Sequence, residues 1–160
     1  MISDDVIARR TRTAATSIAS ETAHSSEAEL AKVIGSVDDL GRPVVRIEVP
    51  ERDGFLAVVD TGFNRSLLLL MTEAQAMGFA ITEDAETVEL GTAVKAKVLR
   101  ARGMVRWLDR TMQVEALVSD EPVPVGGRDT AHALIGTEML ANCLLLVDFV
   151  ARAVEIEEQQ

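Results

Sequence analysis

Past residue 30 the chain breaks into short apolar runs and stretches where apolar and polar residues alternate with a period of two, separated by clusters of Gly, Pro, Asp and Asn. Residues 1–30 stand apart. They are small and polar with no apolar period, and they read as a flexible or loosely docked arm ahead of a domain spanning 31–160. From there the pattern predicts a strand over 31–37, a turn over 38–41 and a half-buried strand over 43–49. A second turn covers 50–54, and the unbroken apolar run 55–59 reads as a strand buried on both faces. A buried strand at 67–71 follows, then Thr72 as the N-cap of a helix over 73–77, with Gly78 at its C′ position. Residues 87–98 alternate on either side of Gly91, which predicts a hairpin with its tip there. Strands over 101–108 and 111–118 meet at an Asp109-Arg110 turn, and 122–129 reads as a loop. The apolar strand ending at Leu134-Ile135-Gly136 runs into a short helical turn capped by Thr137. Strands over 144–149 and 153–156 close the chain. Many short strands with few helices predict an all-β barrel or folded sandwich.

Composition narrows the picture. At 160 residues the chain has the length of one domain, and with 48% hydrophobic residues but only 3% aromatics its core must be Val, Leu, Ile, Ala and Met. Lys and Arg total 16 against 26 Asp and Glu, so the net charge is -10. That balance argues against nucleic acid or an anionic membrane as partner, because phosphate contacts need clustered cations. The lone Cys143 excludes an internal disulfide and fits a reducing, cytoplasmic setting. Arg9, Arg10 and Arg12 have the look of a transit segment, but Asp4, Asp5, Glu21, Glu27 and Glu29 oppose it. No apolar run approaches the ~20 residues of a membrane span. His24, His132 and Cys143 are too scattered for metal-ligand spacing, so no metal and no cofactor is expected.

The candidate chemistry sits at Asp60. An apolar strand rarely stops at a bare carboxylate, since burying an uncompensated charge is costly. Thr61 and Gly62 directly after it make a tight turn that presents the carboxylate and surrounds it with donors. Taken alone, that arrangement also suits an ordinary strand-turn junction. The second signal is Leu134-Ile135-Gly136 ahead of a helical turn, about 70 residues further on. Together the two stretches resemble the retropepsin-like aspartic proteases, and Asp60-Thr61-Gly62-Phe63-Asn64 is most similar to the short cellular branch of that clan. The resemblance spans residues 31–157 and implies a closed acid-protease barrel with one or two short helices. It makes Asp60 the catalytic carboxylate, gives Thr61 a hydrogen bond to the partner's matching loop, and lets the Gly62 amide approach the carboxylate. It makes Leu90, Gly91 and Thr92 a substrate-covering flap, with Leu134, Ile135 and Gly136 as structural support. Two positions depart from the viral branch: Phe63 stands where a small residue is usual, and the flap holds one glycine.

Peptide hydrolysis by this route needs two close carboxylates sharing one proton, one acting as base toward water and one as acid toward the carbonyl oxygen. The chain has a single Asp-Thr-Gly; Asp129-Thr130-Ala131 lacks the glycine. The resemblance therefore implies a homodimer, with a two-fold axis between two Asp60 residues, acting on a peptide or protein substrate. The competing readings are a catalytically silent dimeric β-barrel serving as a binding or assembly module, and a precursor activated by loss of residues 1–30. Cys143 reads as a small buried hydrophobe, and both histidines as solvated or structural.

Overall fold

The computed structural model of the protein describes residues 30–90, 94–125 and 129–159. Most of the expected N-terminal arm, and the hairpin tip at Gly91 and Thr92, lie outside those residues. The described chain runs β1 (Lys32–Val37), β2 (Pro43–Val49), β3 (Arg52–Val59), β4 (Leu67–Leu70) and α1 (Met71–Ala76). It continues through β5 (Ala80–Leu90), β6 (Val94–Trp107), β7 (Arg110–Ser119), β8 (Val123–Val125) and β9 (Asp129–Ala131). β10 (Ala133–Ile135), β11 (Cys143–Asp148) and β12 (Ala153–Glu158) complete it. The fold is all-β.

One sheet holds ten strands in the order β11-β12-β1-β2-β3-β10-β4-β7-β6-β5, while β8 and β9 pair as a separate ribbon. One edge of β2 is shared: β1 takes its first half, and Glu48 near its end pairs with Arg106 of β6. That one pairing closes β2, β3, β10, β4, β7 and β6 into a ring. Alternation explains the filling. Val45, Ile47 and Val49 of β2 and Phe55, Ala57 and Val59 of β3 join Leu67 and Leu69 of β4 in the interior cluster. Each of these side chains larger than Ala57 contributes about 1.5–3 kcal/mol over leaving it in water. The leucine run of β4 needs no polar face, because Leu68 belongs to a second cluster with Val58, Phe63, Leu117 and Leu134. Val123 and Ala131 of the β8–β9 ribbon cover that outer cluster.

Two ring contacts are parallel, β10 beside β3 and β4 beside β7, while β10 runs antiparallel to β4. β3 and β10 therefore end side by side, which brings Asp60 next to Gly136.

Several elements differ from what the pattern predicts. Leu56 is 63% exposed, so β3 is covered on both faces only from Ala57 onward. β3 already begins at Arg52, leaving Pro50-Glu51 as the turn, with Glu51 at φ 64. Thr72 lies inside α1, whose N-cap is Leu70 and has no side-chain capping bond. Gly78 does take the C′ position at φ 73, and the amides of Gly78 and Phe79 reach the carbonyls of Gln75 and Ala74 at 3.1 and 2.9 Å. The 101–108 strand is the second half of one continuous β6, and its turn into β7 is Leu108-Asp109, both at positive φ. The expected loop at 122–129 contains β8 and the start of β9. No α-helix follows Gly136; Met139, Leu140 and Cys143 make successive three-residue turns onto Gly136, Thr137 and Leu140.

The β1–β2 turn is tied by Asp38, whose Oδ1 accepts the amides of Leu40 and Arg42 at 3.0 and 2.8 Å and whose Oδ2 accepts Arg42 Nε at 2.8 Å. Burial opposes the charged carboxylate, but these hydrogen bonds and the Arg42 charge outweigh it and hold Asp38 below the usual carboxylate range. A depressed value in the folded state means stability that is present above about pH 4 and lost as pH falls through the folded value. Asp38→Asn is expected to lose about 1 kcal/mol at pH 7 and to converge with wild type in acid. Thermal melts from pH 7 downward check this, and equal melting at pH 7 would contradict it.

Candidate active site

The amide of Asp60 extends the β3–β10 pairing by one bond, donating to the Ile135 carbonyl at 2.9 Å. The chain then folds back at once, with the Phe63 amide donating to the Asp60 carbonyl at 3.1 Å. Inside that turn the Gly62 amide donates to Asp60 Oδ1 at 2.9 Å. A Cβ on Gly62 would lie 3.2 Å from the same oxygen, so glycine gives the carboxylate room beside its donor. Asp60 is half-buried, Thr61 and Gly62 are exposed, and Phe63 is buried in the outer cluster as the anchor of the turn.

The far stretch clamps this loop. Gly136 N–H donates to the Ser66 carbonyl and Thr137 N–H to the Phe63 carbonyl, both at 2.9 Å, and the Thr137 hydroxyl lies 3.4 Å from the same Phe63 oxygen. A Cβ at Gly136 would collide with the carbonyl oxygens of Arg65 and Phe63 and with the Phe63 ring. Only glycine allows the two backbones this close. Ser66 adds a side-chain tie, donating to Glu138 Oε2 at 2.7 Å. The outcome is a carboxylate with Oδ1 pinned by an amide in a half-exposed turn on a rigid footing. Such a group can take a proton from water or deliver one, but one carboxylate cannot do both at once.

Of the residues singled out from the sequence, Asp60, Thr61, Gly62, Leu134, Ile135 and Gly136 come together here. Leu90 ends β5 opposite Val94, while Gly91 and Thr92 lie outside the described residues. Val88, Ala96 and Val98 near the base of that hairpin pack on the cluster that holds Phe63 and Leu134. The hairpin base and the Asp60 turn thus share one apolar footing. Sequence reasoning missed the roles of Phe63, Ser66, Thr137 and Glu138. Thr137 carries the loop's clamp and not a helix cap, and no local signal links Ser66 to Glu138 across 72 residues.

A cavity of about 200 Å³ adjoins the loop, lined among others by Arg65, Ser66, Glu86, Arg100 and Glu138, with Asp60 outside it. Arg100 is held there by Glu86 at 2.7 Å and Glu115 at 3.0 Å, an ion-paired surface hollow. Cys143 is partly buried, and burial pushes its thiol up, with Arg110 pulling weakly the other way, so it is a poor nucleophile. His132 is largely exposed, 3.9 Å from Glu73, while His24 lies outside the described residues. Among the described residues no three His, Cys, Asp or Glu side chains cluster as metal ligands, and no helix is long and apolar enough to cross a membrane.

No protein-family model and no curated protein matches the chain. Among solved structures, the EIAV protease in complex with an inhibitor is similar over 62% of this chain and 86% of that one, at 16% identity and a TM-score of 0.46.

Proposed function

We propose that the protein is a homodimeric aspartic endopeptidase in which Asp60 of each chain forms half of the catalytic pair. The observation that carries this reading is the Asp60 turn itself, a half-buried strand-end carboxylate pinned by the Gly62 amide in a turn clamped by Gly136. Two such turns across a two-fold axis bring the carboxylates together with a water between them. Like charges that close hold a single proton, the standard behaviour of aspartic-protease carboxylate pairs. The unprotonated partner takes a proton from the water as it attacks the peptide carbonyl, and the protonated one gives its proton to the carbonyl oxygen. Collapse of the tetrahedral intermediate returns a proton to the leaving nitrogen. Thr61, exposed in that turn, supplies the hydrogen bond across to the partner's matching loop. The β5–β6 hairpin, whose Val88 and Ala96 pack on the cluster that holds Phe63, supplies the cover.

The test joins assembly to activity. Sedimentation at micromolar concentration is expected to give twice the 17.3 kDa chain mass, and the same sample should cleave peptides most actively below neutral pH. A stable monomer overturns the proposal, while a dimer inert toward a broad peptide library makes the protein a binding or assembly module.

A further inference from the structure

We infer that the second copy docks on an apolar rim formed by two turns, 38–41 and 149–152, beside the Asp60 turn; this rests on the dimeric reading above. The two turns touch. Val37 N–H donates to the Arg152 carbonyl at 3.1 Å, Arg152 Nε donates to the Val37 carbonyl at 3.0 Å, and Arg152 Nη2 meets Asp39 Oδ1 at 2.7 Å. The next turn over belongs to Asp60: Val44 pairs with Val58, and continuing that antiparallel register sets Arg42 level with Asp60. Three successive turns therefore lie in a row at one end of the sheet.

The outer two expose Leu40 at 58%, Phe149 at 64% and Val150 at 97%. Single exposed hydrophobes are ordinary, but Phe149 is not. The chain has only 4 Phe, and Phe55, Phe63 and Phe79 are all buried. Aromatic side chains held on fixed backbone are typical interface anchors. This backbone is fixed, since Asp148 Oδ1 accepts the amides of Val150 and Ala151, both at 2.8 Å.

Charge singles out the same place. Two copies of a chain with net charge -10 repel each other over most approaches. On the rim, Asp38 is matched by Arg42 and Asp39 by Arg152, so the approach there meets little like-charge opposition, with Asp148 the remaining acid. A second copy is the fitting occupant because a cleft with one carboxylate is incomplete. A two-fold axis at the Asp60 turn also brings whatever flanks that turn onto the partner.

The experiment compares dimer dissociation constants by sedimentation for wild type, the double variant Phe149→Ser with Val150→Ser, the single variant Val150→Asp, and Leu56→Ser as an exposed apolar control elsewhere. Circular dichroism verifies that each is folded, and the nearly fully exposed Val150 keeps one variant safe from folding effects. The rim variants are expected to weaken the dimer by about tenfold or more and the control to leave it unchanged. If wild type dimerises and the rim variants match it, the rim is overturned while the two-carboxylate reading stands. If wild type itself fails to dimerise, both fall.

Discussion

Gly136→Ala is expected to leave little folded protein at 25 °C. The added methyl would collide with two backbone carbonyl oxygens, those of Arg65 and Phe63, which cannot swing aside like a flexible side chain. Moving the 63–66 segment away would break the Thr137 bonds to Phe63 and the Gly136 bond to Ser66. Overpacking of this kind costs about 1–3 kcal/mol, and losing the two backbone bonds among these about 1 kcal/mol or more each. That is a large part of the roughly 5–15 kcal/mol by which a domain is stable. Gly41 is the contrast. It sits at φ +77 with nothing within 4 Å of an added Cβ, so Gly41→Ala should cost only about 1–2 kcal/mol of backbone strain. Urea titration of both variants decides the point; equal mild losses would mean that the clamp does not hold the loop.

Asp60→Asn should reduce peptidase activity by at least about a thousandfold, since an amide neither takes the proton from water nor supplies one. It should leave the fold intact, because the amide oxygen still accepts from Gly62 and the side chain keeps its size. Stability is expected to shift by no more than about 1 kcal/mol. Mixing gives a sharper readout. If each dimer needs two wild-type chains, equal amounts of wild type and Asp60→Asn leave about one quarter of the dimers intact after exchange. Activity per total chain should then fall with the square of the wild-type fraction. A linear fall would mean that each chain works alone and would remove the shared pair.

How legible the fold was depends on how each strand is covered. β2 stood out because one face meets the core and the other meets solvent, so Val45, Ile47 and Val49 alternate with Arg46 and Glu48. β4 stood out for the opposite reason, as three leucines at 0% exposure find apolar cover on both faces. The first half of β5 was invisible: Thr82, Glu83, Asp84 and Ala85 are exposed, and nothing in them alternates. It is an edge strand, shaped by pairing with β6 and by Arg100 reaching Glu86 at 2.7 Å. The β8–β9 ribbon hid behind Pro122, Pro124 and its glycines, which punctuate a short edge as they would a loop. At the site, Asp60 and Gly136 were readable because close backbone approach demands particular residue types. The Ser66–Glu138 tie was not, since either residue is unremarkable on a polar surface.

The parallel pairing of β10 with β3 also sets an order in time. The Asp60 amide waits for the Ile135 carbonyl, and β1 waits for β12, with Val33 opposite Ile156 near the end of the chain. Contacts that distant in sequence form late, because their loops must close before any pairing repays the lost chain freedom. A nascent chain that has emerged only through β9 already carries Asp60, but the strand that anchors its turn and the glycine that clamps it do not yet exist. The Asp60 turn gains its footing only once β10 has joined the sheet. An unfinished chain leaving the ribosome at about 5–20 residues per second thus carries the Asp60 carboxylate without the turn that holds it.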